Sequence, residues 1–144
     1  MCKSANTLEV LMVEPGKHPS VETIGSDLHS LQDAVGGYIE AAYFFDDPVA
    51  LVCWEEAKLQ AAPLNRAIYD ANGELTDIIA GKFFICGLGD EDFVSLPKDL
   101  QEKYEARFHQ PEGFLKLGRG IAVIPIEPVK EAKAMAKAPS REER

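Results

Sequence analysis

Residues 78–86 read Ile-Ile-Ala-Gly-Lys-Phe-Phe-Ile-Cys, and this run predicts the strongest β-strand of the chain. Gly81 interrupts the run, and a glycine inside a strand indicates a β-bulge or the close approach of another backbone. Shorter apolar runs at residues 8–13 and 49–54 predict two further strands. The chain is therefore expected to build a β-sheet that includes residues 78–86.

Capping residues and apolar spacing predict two helices. Asp27 can cap a helix that continues to Val35, where a pair of glycines is expected to end it. A second helix is predicted after Ser95 by apolar residues spaced four apart, which are Leu100, Tyr104 and Phe108.

Three more segments have the composition of strands. Residues 38–45 carry aromatic and apolar side chains on both faces, which favours a central strand. Residues 65–70 are closed by Asn72-Gly73, a hairpin signal. Residues 121–126 are apolar, and Pro125 favours a sheet edge because proline has no N–H to donate.

This order of elements predicts an α+β fold, because strands adjacent in sequence outnumber those separated by a helix. We expect a mostly antiparallel sheet of about five strands with two or three helices packed on it. Residues 1–127 are expected to form a single globular domain. Residues 128–144 are rich in lysine and alanine, which predicts a flexible or short helical tail.

The composition of the 144-residue chain excludes several classes of protein. It holds 24 acidic and 15 basic residues, a net charge of −9, which argues against direct binding of nucleic acid. No apolar run reaches the length of about 18 residues that a membrane span needs. The first residues lack the apolar stretch of a signal peptide, so a cytoplasmic location is expected.

Motifs for catalysis and for metal binding are missing from the sequence. The three cysteines and three histidines show no metal-ligand spacing, and there is no Gly-x-Ser-x-Gly motif. Gly87-Leu88-Gly89 follows a predicted strand as a phosphate loop does, but the acidic residues 90–92 come next and favour a solvated turn. We therefore predict no catalytic residue, no metal and no cofactor.

Asn65 and Arg66 are the first candidate binding residues. They place an amide beside a forked cation, which suits a carboxylate or a phosphate group. The alternative is an ion pair within the protein, between Arg66 and either Glu40 or Asp77.

The segment from Gly36 to Glu40 supplies the other candidates. Gly36 and Gly37 are explained by helix capping and packing, whereas Tyr38 and Glu40 share one face of an expected strand. Glu40 lies among apolar residues and is expected to be paired or to face a pocket.

Three blocks of this sequence resemble the signature of a small domain family of unknown function. The blocks are Leu31-Gln32 with Val35-Gly36-Gly37-Tyr38-Ile39-Glu40, Pro63-Leu64-Asn65-Arg66, and Asp77-Ile78-Ile79-Ala80-Gly81-Lys82-Phe83-Phe84-Ile85. The similarity spans residues 8–108. Members of that family occur in phages, prophages and conjugative elements, so the resemblance implies an accessory protein of a mobile element and brings no catalytic residue with it.

These observations predict that the chain is a non-enzymatic accessory protein that binds a host factor and has an anti-defence or host-takeover role. One alternative is a protein that binds or sequesters a small anionic, nucleotide-like ligand, with Asn65 and Arg66 on a phosphate and Tyr38 stacked on a base. A DNA mimic that inhibits a nuclease is a weaker alternative, since the acidic residues are interspersed with basic ones. Edge strands and residues 121–126 are suited to pairing in a homodimer.

Overall fold

A computed structural model describes residues 7–90 and 92–128 of the chain. In chain order the elements are β1 (Thr7–Val13), β2 (Ser20–Gly25), α1 (Leu28–Val35), β3 (Ile39–Ala42), β4 (Val49–Trp54), β5 (Leu64–Tyr69), β6 (Leu75–Ala80), β7 (Phe83–Leu88), β8 (Phe93–Val94), α2 (Lys98–Arg107), β9 (Glu112–Leu117) and β10 (Gly120–Pro125).

The main sheet has β7 at its centre. Its strand order is β2-β1-β7-β4-β3, with β8 also paired to β7, and all of these pairs are antiparallel. Ile85 of β7 lies opposite Leu11 on one side and opposite Leu51 on the other. The prediction of an α+β fold with mostly antiparallel strands is therefore confirmed, although the sheet has six strands and the described residues also form two two-stranded sheets.

The prediction of one strand over residues 78–86 is wrong, because Gly81 divides the segment into β6 and β7. Gly81 has a φ of 76°, a left-handed conformation that glycine adopts without a steric penalty. Its N–H donates to the carbonyl of Pro63 at 2.7 Å. The chain turns there, so that β6 pairs with β5 while β7 enters the main sheet.

Both faces of the main sheet are covered. On one face α1 packs over a buried cluster that includes Val10, Val52 and Phe84 with Leu31 and Val35 of the helix. On the other face, residues of α2, β5 and β6 join a second cluster that includes Leu11, Leu51, Ile68, Ile79, Ile85 and Tyr104. Side chains alternate between the two faces along each strand, which explains why the central strands are apolar throughout.

The predicted ends of α1 are confirmed by its caps. The carboxylate of Asp27 accepts the N–H of Ser30 at 3.1 Å, and Gly36 ends the helix with a φ of 105°. By contrast, α2 has no side-chain cap, because its N-cap residue is Pro97, which has no side-chain acceptor. Ser95 lies two residues before the cap, and its hydroxyl accepts the N–H of Glu9.

The strand predictions need three corrections, of which the first concerns a missed strand and the other two concern the positions of predicted strands. β2 was not predicted, because it is an edge strand whose first four residues are exposed and its sequence reads as a polar connection. The segment predicted as a central strand forms only β3, which is the opposite edge of the main sheet. β10 pairs with β9 in a separate hairpin and does not join the main sheet.

The predicted tail lies outside the described residues from Val129 onward. Among the helices of the described chain, none is long and apolar enough to span a membrane.

Candidate functional site

The guanidinium of Arg66 is buried and bonded inside the protein. Arg66 is 1% exposed. Its Nε donates to the carbonyl of Phe108 at 3.0 Å and its Nη2 to the carbonyl of Lys17 at 2.6 Å. Its Nη1 donates to both the main-chain and side-chain oxygens of Asn65. The expectation that this cation is open to an outside anion is therefore wrong, because the side chain is buried and each of its three nitrogens donates within the chain.

The predicted alternative, an ion pair of Arg66 with Glu40 or Asp77, is not formed either. The carboxylate of Asp77 accepts the ammonium of Lys58 at 2.9 Å. Burial lowers the pKa of Arg66 from its ordinary value, and the charge of Glu112 raises it in part. Main-chain carbonyls, rather than a carboxylate, therefore accept most of the hydrogen bonds of this guanidinium.

Asn65 is fully buried and also has a structural role. Its Nδ2 donates to the carbonyl of Val13 at 3.0 Å and to that of Gly81 at 2.8 Å. The amide therefore connects the end of β1 to the turn between β6 and β7. Each oxygen or nitrogen of the Asn65 side chain has a partner within the chain.

The other four predicted residues lie at the C-terminal end of α1 and just after it, and they are Gly36, Gly37, Tyr38 and Glu40. The N–H groups of Gly36 and Gly37 both donate to the carbonyl of Gln32, which ends the helix. A Cβ on Gly37 would collide with the indole of Trp54, so packing requires glycine there. Tyr38 is 64% exposed and Glu40 is exposed on the edge strand β3, so neither burial nor a pocket demands a partner for Glu40.

An open groove of about 860 Å³ lies at the N-terminal end of α1, between the helix and the sheet. We call it the α1 groove, and its principal lining residues are Leu28, Tyr43, Leu88, Asp90, Asp92 and Phe93. None of the six residues proposed from the sequence lines it.

The groove lies beside the first turn of α1, where Ser26, Leu28 and Leu31 contribute to its lining. Leu31 and Val35 fill the space under the centre and end of the helix. Leu28 in the first turn is 58% exposed and stands on one side of the groove, and Tyr43 just after β3 is 62% exposed.

The charge of the groove comes from two carboxylates. Asp90 and Asp92 lie on the loop between β7 and β8 and are exposed at its rim. The described lining includes no lysine, arginine or histidine. The potential in the groove therefore favours a neutral or cationic occupant over an anionic one.

The sequence contained weak signals for this groove. The i, i+3, i+7 spacing of Leu28, Leu31 and Val35 predicts one shared apolar face of α1, but only Leu31 and Val35 are buried, and Leu28 in the first turn is exposed. The acidic run at 90–92 was interpreted as a solvated turn, and nothing in the sequence showed that Tyr43 lies close to it. Only the pairing of the strands brings these segments together.

The buried cysteines do not have the environment of a nucleophile. Burial raises the pKa of the Cys53 thiol to about 11 and that of Cys86 to about 12. Within residues 7–90 and 92–128 no group of three or more His, Cys, Asp or Glu side chains is placed to hold a metal ion.

Comparison with known protein families identifies a match. The family model of a domain of unknown function, DUF3846, matches residues 8–109, which run from β1 through α2 to the residue after Phe108. No curated protein and no solved structure matches the chain. Because the match covers most of the sequence and all six strands of the main sheet, the chain belongs to the DUF3846 family.

Proposed function

We propose that this protein is a non-enzymatic accessory protein of a phage or other mobile element and that it binds a host protein in the α1 groove. The observation that carries the proposal is the pair of exposed apolar side chains, Leu28 and Tyr43, on the lining of one open groove. Large exposed apolar side chains that converge on a concave surface are typical of an interaction site.

The lining defines the chemistry of the partner. Leu88 and Phe93 are partly buried and offer an apolar floor, while Asp90 and Asp92 offer negative charge at the rim. An apolar segment that carries lysine or arginine complements both features, because its cations meet the carboxylates as its apolar residues leave water. A host protein with such a segment is the expected partner.

A small nucleotide-like ligand is the weaker candidate. The volume of the groove is within the range of about 300–1,000 Å³ that is usual for small-molecule sites. An anionic ligand, however, would meet Asp90 and Asp92 with no described cation in the lining, and Arg66 is buried elsewhere. Electrostatics therefore favours the host protein.

Affinity capture from a host lysate tests the proposal. The bait is compared with Leu28→Asp, which places a charge in the groove, and with Leu75→Asp, the same change at a residue 48% exposed on β6 outside the groove. We expect a host protein to be retained by the wild type and by Leu75→Asp and to be lost with Leu28→Asp.

Two results would count against the proposal. One is a lysate from which wild-type bait retains no host protein above the level of Leu28→Asp. The other is native mass spectrometry in which the wild type leaves the lysate with a bound small molecule and Leu28→Asp leaves without it, because that result assigns the groove to the small-ligand alternative.

A further inference from the structure

The hairpin of β9 and β10 has exposed apolar side chains and lies outside the residues that match the family. Its exposed apolar residues, between 37% and 60% accessible, are Leu115, Leu117, Ile121 and Ile124. The family match ends at residue 109, before β9 begins. The hairpin therefore lies beyond the matched residues and presents apolar surface to solvent.

The exposed residues occupy both faces of this two-stranded sheet. Leu115 lies opposite Ala122 and Ile124 opposite Gly113, and these pairs share one face, while Ile121 opposite Lys116 lies on the other. An isolated two-stranded hairpin is marginally stable in water, and this hairpin leaves apolar side chains exposed on both faces. An intermolecular partner that covers the hairpin would supply the missing burial.

The hairpin contacts the body through β9, which lies against β5. The carboxylate of Glu112 accepts the N–H of Ala67 on β5 at 2.9 Å, and the N–H of Ile126 closes the base of the hairpin by donating to the carbonyl of Pro111 at 3.0 Å. The far end, from Leu115 to Ile121, extends beyond these bonds and carries two exposed cations, Lys116 and Arg119.

This combination of groups complements the α1 groove. The hairpin end presents leucine and isoleucine with two cations, and the groove presents apolar side chains with two carboxylates, Asp90 and Asp92. The chain as a whole has a net charge of −9, so a basic apolar projection is unlike most of its surface.

The two surfaces of one chain lie on opposite sides of the main sheet. The groove lies on the sheet face that α1 covers, whereas the hairpin is attached to β5, which packs on the opposite face. The chain after the hairpin is a poor alternative cover, because residues 129–144 contain only two large apolar side chains, Val129 and Met135. A second copy of the chain supplies apolar side chains and the complementary charge.

We propose that the β9–β10 hairpin of one copy docks in the α1 groove of a second copy, with Lys116 and Arg119 facing Asp90 and Asp92. The inference rests on the proposed function for the role of the groove, and it adds that self-association competes with the host protein for that groove. Free protein at high concentration then occupies its own binding sites.

Sedimentation of two charge-reversed variants tests this contact. Lys116→Glu/Arg119→Glu makes the hairpin acidic, and Asp90→Lys/Asp92→Lys makes the groove basic. We expect the wild type to exceed its monomer mass of 15.8 kDa as concentration rises, each variant alone to stay monomeric, and an equimolar mixture to associate again. Each variant changes the net charge of −9 by four, so both remain acidic and have no general attraction to each other.

Either of two results overturns the inference: a wild type that stays monomeric at its highest soluble concentration, or a mixture that does not associate although circular dichroism shows both variants to be folded. Capture of the host protein distinguishes this failure from failure of the proposed function. If the wild type is monomeric but Leu28→Asp still abolishes capture, only self-association is wrong. If the hairpin variant captures more host protein than the wild type, the competition is supported.

Discussion

Nη2 of Arg66 donates a hydrogen bond of 2.6 Å to the carbonyl oxygen of Lys17, a residue 49 positions earlier in the chain. The same guanidinium binds the carbonyl of Phe108, just after α2. A single buried side chain therefore ties the loop between β1 and β2 to the end of α2. This residue looked like an anion-binding group in the sequence, and its position makes it a structural connector.

Replacing Arg66 with methionine tests that role. Arg66→Met keeps an apolar stem and removes every donor, so the carbonyls of Lys17 and Phe108 lose the hydrogen bonds from the guanidinium. We expect a loss of about 2–4 kcal/mol in the free energy of unfolding, since each unsatisfied buried group costs about 1–3 kcal/mol. Urea denaturation measures it.

The control is the same change at Arg107, which is exposed and donates one hydrogen bond, to the carbonyl of Tyr69. Arg107→Met is expected to cost less than about 1 kcal/mol. Equal losses for the two variants would contradict a connecting role for Arg66.

A Cβ at position 37 is expected to displace the indole of Trp54. Gly37→Ala should cost about 1–3 kcal/mol, the usual penalty for overpacking. Because Trp54 is the one tryptophan of the chain, a red shift of its fluorescence reports the displacement directly.

Gly73→Ala is the matched control for this change. Gly73 has a φ of 82°, and no atom lies within 4 Å of an added Cβ. Its replacement should cost about 1–2 kcal/mol through backbone strain and leave the tryptophan emission unchanged. An unshifted emission in folded Gly37→Ala would show that the indole does not pack against that glycine.

Asp47 is expected to make stability depend on acid pH. Its Oδ2 accepts the ammonium of Lys103 and the hydroxyl of Tyr104, both at 2.6 Å. The hydrogen bond from Lys103, followed by that from Tyr104, holds the pKa of Asp47 below its ordinary value of 3.8. A lowered folded-state pKa stabilises the protein above pH 3.8, and this contribution is lost as the pH falls through the folded-state pKa.

Asp47→Asn removes the titration and keeps an oxygen that can accept. Between about pH 5 and about pH 2, its free energy of unfolding should fall less steeply than that of the wild type. Tyr104→Phe, which deletes one of the two donors, should give an intermediate slope. Parallel curves for the wild type and Asp47→Asn would exclude the carboxylate as the source.

Leu28→Asp, the variant that introduces a charge into the groove, should not destabilise the fold. Position 28 is the first residue of α1, where a negative charge interacts favourably with the helix dipole, and the leucine is largely exposed. We expect a change within about 0.5 kcal/mol in thermal or urea unfolding. A larger loss would mean that Leu28 packs into the core rather than lining an open groove.

The sequence predicted local structure well where one residue determines it. Asp27 and Gly36 cap α1 at the predicted positions, because capping depends on groups within a few residues of each other. Gly81 was recognised as an interruption, but a left-handed turn and a bulge have the same sequence signal, so the split between β6 and β7 could not be foreseen.

The site was harder to predict because its parts are distant in sequence. Leu28, Tyr43 and Asp92 become neighbours only after β3 pairs with β4 and β4 with β7. For Arg66 the sequence predicted a binding residue where the structure has a structural one. An arginine in a short apolar strand has the same sequence pattern whether its donors bind a ligand or main-chain carbonyls. Long-range contacts decide both cases.

Two exposed tyrosines on either side of β3 allow the most direct test of the α1 groove as the binding site. Tyr43 lines the groove and is 62% exposed, while Tyr38 lies outside it and is 64% exposed. Each is replaced in turn by the photoreactive amino acid p-benzoylphenylalanine, and host cells that produce the variants are irradiated. Mass spectrometry then identifies the adducts and separates a host protein from a second copy of the chain.

The account predicts a covalent adduct with a host protein from position 43 and none from position 38. A host adduct from position 38 alone, or the absence of a host adduct from position 43, would contradict it.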